Sequence, residues 1–271
     1  MPDAFILSEM TWQDMRDALK QVELAIIPTG SFEQHGPHMT FEVDTARAYA
    51  FGKLLAERLH PRVILAPPIT FGVSYHHMRF PGTITLRHET FMAIIYDIVT
   101  SLREHGIEQF FLVNGHGGNK SSLDIMTVRL RHELGVSVAS SNFTLLSTDA
   151  RKSFVKSEMT GHACEGETSQ ALYLAPHVVK RKRIVRGATK GYPYKFLGKG
   201  NNSSLVVPYT FDEITDNGAL GDATLANEER GKAIIDEALN KAVEFLIDFM
   251  DKNKANARGP KRVGDLSGIQ D

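Results

Sequence analysis

The sequence predicts an α/β protein whose helices cover a mostly parallel sheet, because short apolar runs alternate with longer segments of helical period. Two other observations agree. The 271 residues are enough for one large domain or two small ones, and 42% are hydrophobic against 23% charged, the composition of a soluble globular chain. The polar loops also follow the strand candidates, where ligands gather in open α/β sheets. Strand candidates are residues 22–28, 63–66, 109–113 and 136–140; helix candidates are 44–59, 88–105, 120–133 and 227–250. The links between them are short except for residues 29–43, a polar stretch dense in Glu, His and Gly. A long loop inside a compact domain is usually functional. Helical periodicity lapses over residues 186–221, where GYPYKFLGKGNNSS reads as a lid, an oligomer contact or a plain surface excursion. After Asp251, KNKANARGPKR holds five basic residues and no acidic one, so 252–271 reads as a solvated tail.

Charge and cysteine content narrow the function. Lys and Arg number 31 against 32 Asp and Glu, a net charge of -1 that gives no field for a polyanion or an anionic membrane. Nucleic acid and membrane are therefore not expected partners. One cysteine, Cys164, excludes a disulfide framework or a multi-cysteine zinc site and suits a reducing compartment. With no run of about 18 apolar residues and no basic, long-cored signal peptide in MPDAFILSEM, the expected location is the cytoplasm.

Three motifs carry chemistry. In TGSFEQHGPHMTFEVD, Glu33 and His35 lie two apart, so an extended backbone turns both side chains the same way. Asp44 follows at a helix start, as a ligand or simply as an N-cap. FFLVNGHGGNKSS runs an apolar strand into His116 within a glycine-rich turn; its alternative, a phosphate cradle, lacks P-loop spacing. GHACEGETS holds His162, Cys164, Glu165 and Glu167 ahead of a helical stretch at 170–174, with helix capping as the alternative for its carboxylates. Together Glu33, His35, Asp44, His116 and Glu167 offer the oxygen and nitrogen donors that bind zinc, manganese or iron. Three carboxylates around one divalent ion leave a charge of about -1, whereas two ions with a bridging hydroxide reach neutrality, so a dinuclear site with ions roughly 3.5–4 Å apart fits better.

These residues resemble the creatininase (creatinine amidohydrolase) family. GSFEQHGPH with Asp44, FGVSYHHMRFPGTITL, NGHGGN, HACEGETS and GALGDATLANEERG occur in the family's order over about residues 22–250. The resemblance implies a three-layer α/β/α sandwich over residues 1–251, a dinuclear metal centre and hydrolysis of an amide-type C–N bond. It implies Glu33, His35, Asp44 and His116 as metal ligands, His162 as the catalytic histidine, and a substrate-facing loop carrying Ser74, His76 and His77. His38 is expected to orient a ligand.

Two departures redirect the reading. Creatinine-hydrolysing members place a glutamate two residues after the NGH histidine, where this chain has Gly118; Glu167 is the expected replacement and Glu165 the alternative. Those members also wall the substrate with tryptophan, whereas the single tryptophan here is Trp12. Both point away from creatinine. The expected reaction is attack of a metal-activated water on a small amide, cyclic amide or formamide, with the water pKa brought from about 15.7 to about 7 and His162 protonating the leaving nitrogen. A formamide hydrolase for a nucleotide intermediate is the enzymatic alternative, with Arg79, Arg87 and Lys120 as candidate phosphate contacts. A non-catalytic metal-binding or sensor protein is the other. Cys164 is either a thiolate or a small buried apolar group. His60, His88, His105, His132 and His177 read as solvent-facing or capping. The family's habit implies a homo-oligomer, up to a hexamer.

Overall fold

The computed structural model describes residues 4–195, 197 and 206–255. Residues 256–271, most of the expected tail, lie outside that range, as do 196 and 198–205 of the glycine-rich stretch. Five strands form one sheet: β1 (Phe5–Ile6), β2 (Leu24–Thr29), β3 (Val63–Leu65), β4 (Gln109–Asn114) and β5 (Ser137–Asn142). Their order is β1-β3-β2-β4-β5 and every pairing is parallel. Each residue of β2 and β4 is buried, as a sheet covered on both faces demands.

Alternation along the strands builds the layers. Leu24, Ile26, Phe111 and Val113 pack with Phe51 and Leu55 of α2 (Val43–Leu59) and with Ile235, Leu239 and Leu246 of the long helix over Glu228–Ala255. Ala25, Ile27, Phe110 and Leu112 face the other way, against Phe91 and Ile95 of α3 (His88–Glu104) and Leu123 and Met126 of α4 (Lys120–Leu134). The expected three-layer sandwich results. Among the described residues no helix is long and apolar enough to cross a membrane.

The topology then selects one crevice. From β2 the chain leaves through α2 to β3, and from β4 it leaves through α4 to β5 on the other side. Adjacent strands whose connections diverge leave a gap at their carboxyl ends. Register aligns those ends, Thr29 beside Asn114, so the two polar loops emerge together. Gly115 permits the close approach, since a Cβ there would lie 2.3 Å from the Asp44 carbonyl oxygen.

Several local expectations are corrected. Asp44 is not an N-cap: Glu42 holds that position and Asp44 lies inside the first turn of α2. The helix expected at 170–174 is α6 (Glu165–Leu174), which takes up both glutamates, and the last helix runs to Ala255, into the expected tail. Strand β1 and the helices α1 (Trp12–Ala18), α5 (Thr148–Phe154) and α7 (Phe211–Ile214) carry too few buried residues to show a period. The last helix is α8.

Candidate metal centre

The loop leaving β2 is polar yet buried: Ser31, Glu33, Gln34, His35 and His38 are all at most 7% exposed. Such groups must find partners or cost folding energy. Glu33 Oε2 accepts from Ser31 Oγ at 2.9 Å and Ser74 Oγ at 2.6 Å. Its Oε1 accepts from nothing, and lies 3.2 Å from His116 Nδ1, 3.3 Å from His77 Nε2 and 3.6 Å from His162 Nδ1.

Hydrogen bonds to carbonyl oxygens, which only accept, fix the tautomers. His35 Nδ1 donates to the Glu33 carbonyl at 3.2 Å, so its lone pair is on Nε2, 3.2 Å from Asp44 Oδ1 and 3.9 Å from Glu167 Oε2. His116 Nε2 donates to the Val73 carbonyl at 3.0 Å, which leaves Nδ1 3.2 Å from both Glu33 Oε1 and Asp44 Oδ2. His162 Nε2 donates to the Gln34 carbonyl at 2.7 Å, and Nδ1 faces the centre. His77 differs. The Gln34 amide is oriented by Gly36 N–H donating to its Oε1, so Nε2 of Gln34 donates to His77 Nδ1 at 2.9 Å, and His77 presents an N–H to Glu33.

Asp44 therefore stands between the two imidazole lone pairs of His35 and His116. Glu33 Oε1, His35 Nε2 and Asp44 Oδ2 are buried without a hydrogen-bond partner, yet lie close enough to share an ion. An unsatisfied buried polar atom costs about 1–3 kcal/mol, and a knot of lone pairs and carboxylate oxygens is what a divalent cation satisfies. The residues fit a metal. Without one, protons carry the balancing charge. Burial opposes ionisation throughout, but Asp44, Glu167 and Glu33 hold His35 up to about 9, and Glu33 and Asp44 raise His116 well above its usual value. Burial likewise opposes the Glu33 charge, and His116 still holds its carboxyl down to about 2. His162 and His77 are pushed well down by burial, with the His35 charge adding to the effect on His162, so both rings stay neutral.

The two glutamates of α6 separate cleanly. Glu167 turns toward His35, its Oε1 held by Arg47 and its Oε2 accepting from Ala163 N–H at 2.6 Å. Ala163 takes the left-handed φ of +50° to make that turn, a conformation unusual for a residue with a Cβ. Glu165 turns away: Oε1 accepts from the backbone N–H of Lys156 and Ser157, and Oε2 from that of Asp222. Nor does position 118 have room for a carboxylate, since a Cβ there would come within 2.2 Å of the Val73 carbonyl and 2.5 Å of His116 Nε2.

The remaining candidates scatter. Ser74 is wholly buried and donates to Glu33, and His76 stacks on His116 with ring centres 5.4 Å apart. His38 Nε2 lies 3.1 Å from Thr168 Oγ1, beside Glu167 in the chain, while the orienting partners of His35 and His116 are backbone carbonyls. Cys164 is buried, and burial pushes its thiol up, which keeps it protonated. Trp12 is 70% exposed on α1. Sequence reading missed Gln34, which fixes His77 and His162, and Arg47, buried between Asp44 and Glu167. Arg47 had a signal: it falls on the buried stripe of α2 with Ala48, Phe51 and Leu55.

A buried carboxylate–imidazole cluster able to hold a cation, at the switch point of a parallel α/β/α sandwich, defines the class. The chain belongs to the creatininase family, whose model, Creatininase: Creatinine amidohydrolase, matches residues 8–246. It is an amidohydrolase of that family, an enzyme acting on carbon–nitrogen bonds. Over 230 residues it is 32% identical to the mycofactocin precursor peptide peptidase of Mycobacterium ulcerans, covering 82% of this chain and 83% of that one. The 3-dehydro-scyllo-inosose hydrolase of Thermotoga maritima is 27% identical, covering 97% and 89%, and the creatinine amidohydrolase of Pseudomonas putida 25% identical, covering 87% and 94%. A solved manganese creatininase superposes with a TM-score of 0.76 at 24% identity, covering 90% of this chain and 98% of that one. A variant creatininase of Zn–Zn type gives 0.74 at 25% identity, covering 90% and 97%.

Proposed function

We propose that this enzyme hydrolyses an amide, formamide or cyclic amide of small size at a centre for two divalent cations, zinc or manganese with iron(II) as a further option. Glu33, His116 and Asp44 would hold one ion, and His35, Asp44 and Glu167 the other, with Asp44 shared. The supporting observation is the convergence of Glu33 Oε1, His35 Nε2 and Asp44 Oδ2, buried and unpartnered. When bound, the ions supply Lewis acidity that polarises a carbonyl and brings water to a pKa of about 7.

The chain's own groups supply the proton traffic. His162 is neutral, and its Nδ1 lies 3.6 Å from Glu33 Oε1 with Nε2–H locked on the Gln34 carbonyl. That nitrogen takes the proton of the attacking water and returns it to the departing nitrogen, without which an amine leaves poorly. His77 Nε2–H faces the same point and can stabilise the oxygen on which charge develops. Phe211 packs against both rings, at 4.0 Å from His77 and 4.7 Å from His162, and limits water around them.

Substrate size follows from the cavity. It holds about 470 Å³, and Arg151, Tyr192, Tyr209 and Phe211 line it along with the centre, a space for a small molecule. The relatives' names span a peptide, an inosose and creatinine, all under hydrolase activities. Creatinine fits poorly: Gly118 leaves no glutamate and Trp12 stands on α1, away from the site. The open cavity and the free His162 Nδ1 favour turnover over a sensor role. Self-association belongs to the same proposal, with Ile125 and Val128 of α4 55% and 70% exposed.

The test is metal analysis with a panel of small amides. The expected result is two ions per chain, loss of turnover on chelation and its recovery with Mn²⁺ or Zn²⁺. His162→Ala should keep the ions and lose at least about a hundredfold in kcat, whereas Asp44→Ala should lose both. Full turnover by metal-free protein, or by the His162 variant, overturns the proposal.

A further inference from the structure

The balance of three carboxylates against two cations omits one charge. Arg47 is 1% exposed and sits in the centre's own wall. Its Nη2 donates to Asp44 Oδ1 at 3.0 Å, to the Gly115 carbonyl at 3.2 Å and to Glu167 Oε1, while Nη1 donates to Gln170 Oε1 at 2.9 Å. The guanidinium lies over the Phe143 ring, which closes its remaining face. Only Nε–H of the guanidinium is left without a partner, and it is buried, so at 1% exposure Arg47 is committed to the protein and not to a substrate.

What it touches is the half of the centre that the chain assembles from afar. Asp44 comes from α2 and Glu167 from α6, 123 positions later in the sequence. Two carboxylates cannot be buried together without a counter-charge. We infer that Arg47 is a resident cation: it holds Asp44 and Glu167 together and aimed at His35 before any metal arrives, and so keeps the metal-free protein folded. It does this at a cost to metal affinity, because a fixed positive charge beside the same oxygens repels an incoming divalent ion. The inference rests on the proposed ligand set; its own test is stability rather than turnover.

The measurement is the melting temperature of wild type, Arg47→Met and the double variant Arg47→Met/Glu167→Gln, each with chelator and with saturating Mn²⁺. Breaking a buried pair by removing one partner is severe, so chelated Arg47→Met should melt roughly 10 °C below wild type. Loading with Mn²⁺ should close more than half of that gap, with the apparent Kd for Mn²⁺ at least tenfold lower than in wild type. The chelated double variant, with both charges gone, should recover most of the loss. An equal melting deficit with and without Mn²⁺ would show that Arg47 only fills space, and a weaker Kd in Arg47→Met would show that orientation outweighs repulsion; either overturns the inference. If Arg47→Met does not fold even with Mn²⁺, the double variant decides: recovery supports the resident cation, and failure to recover refutes it. Wild type that takes up no Mn²⁺ would instead refute the ligand set itself.

Discussion

At the scale of single residues, the centre depends on which atoms are left free. His35 and His116 are each oriented by a backbone carbonyl, so their outward lone pairs are a property of the loop conformation and not of any neighbouring carboxylate. That explains why Gly118 matters. Its missing Cβ lets Val73 and His116 meet, and the Val73 carbonyl is what turns His116 Nδ1 inward. Gly118→Ala should therefore cost about 1–3 kcal/mol by overpacking and reduce bound metal. Gly118→Glu should fail to add a ligand for the same reason. Differential scanning calorimetry with elemental analysis checks both, and a Gly118→Glu protein with intact stability and full metal content would refute this account. The candidate ligand residues stood out in the sequence because their spacing and their place after apolar strands repeat a known pattern. Gln34 and Arg47 were not, because each acts through partners far along the chain: His162 lies 128 residues from Gln34, and Glu167 lies 120 from Arg47.

At the scale of elements, legibility followed burial. β2, β4 and α2–α4 show strong apolar patterns and start or end within a residue or two of expectation, as is usual at boundaries. α1 is held by a local capping box, Thr11 with Asp14, and buries only Ala18, so it carries no stripe to read. α5 lacks a side-chain cap of its own, and α8 provides one across the fold. Glu237 accepts from Lys241 Nζ at 2.6 Å, from Ala150 N–H at 2.8 Å and from Asp149 N–H at 3.3 Å. The Lys241 contact first, and the Ala150 amide next, hold its carboxyl down to about 2. A depressed carboxylate stabilises above its ordinary pKa and loses that contribution as pH falls through the folded value. Glu237→Gln should cost about 0.5–1 kcal/mol at neutral pH, allowing for solvent screening. The difference from wild type should narrow below pH 4.5 and be gone near pH 2. Urea titrations across that range check it; a difference that grows in acid would contradict the cap. Because α5 carries Arg151 into the cavity, its loosening should be felt in substrate binding before it is felt in the core.

At the scale of the whole molecule, the sandwich and the centre are stabilised by different means. The two core layers need no metal: Phe51, Phe91, Phe110 and Phe111 are at most 1% exposed, each contributing about 1.5–3 kcal/mol by burial. The centre instead joins three stretches that the sheet alone does not bind together, the loop after β2, the turn after β4 and the first turn of α6. A ligand that binds the native state stabilises it by mass action, by about 2.7 kcal/mol at a hundred times its Kd. That stabilisation should appear locally, because the segments it joins can open without unfolding α3 and α4. Hydrogen exchange with and without saturating Mn²⁺ should thus show slowed exchange at residues 30–42, 115–119 and 161–174. The amides of 88–104, on the far face of the sheet, should be unchanged under conditions where only local opening is sampled. Protection spread evenly over both faces would mean that the cation stabilises the fold as one unit, and the separation between a self-sufficient sandwich and a metal-closed crevice would be wrong.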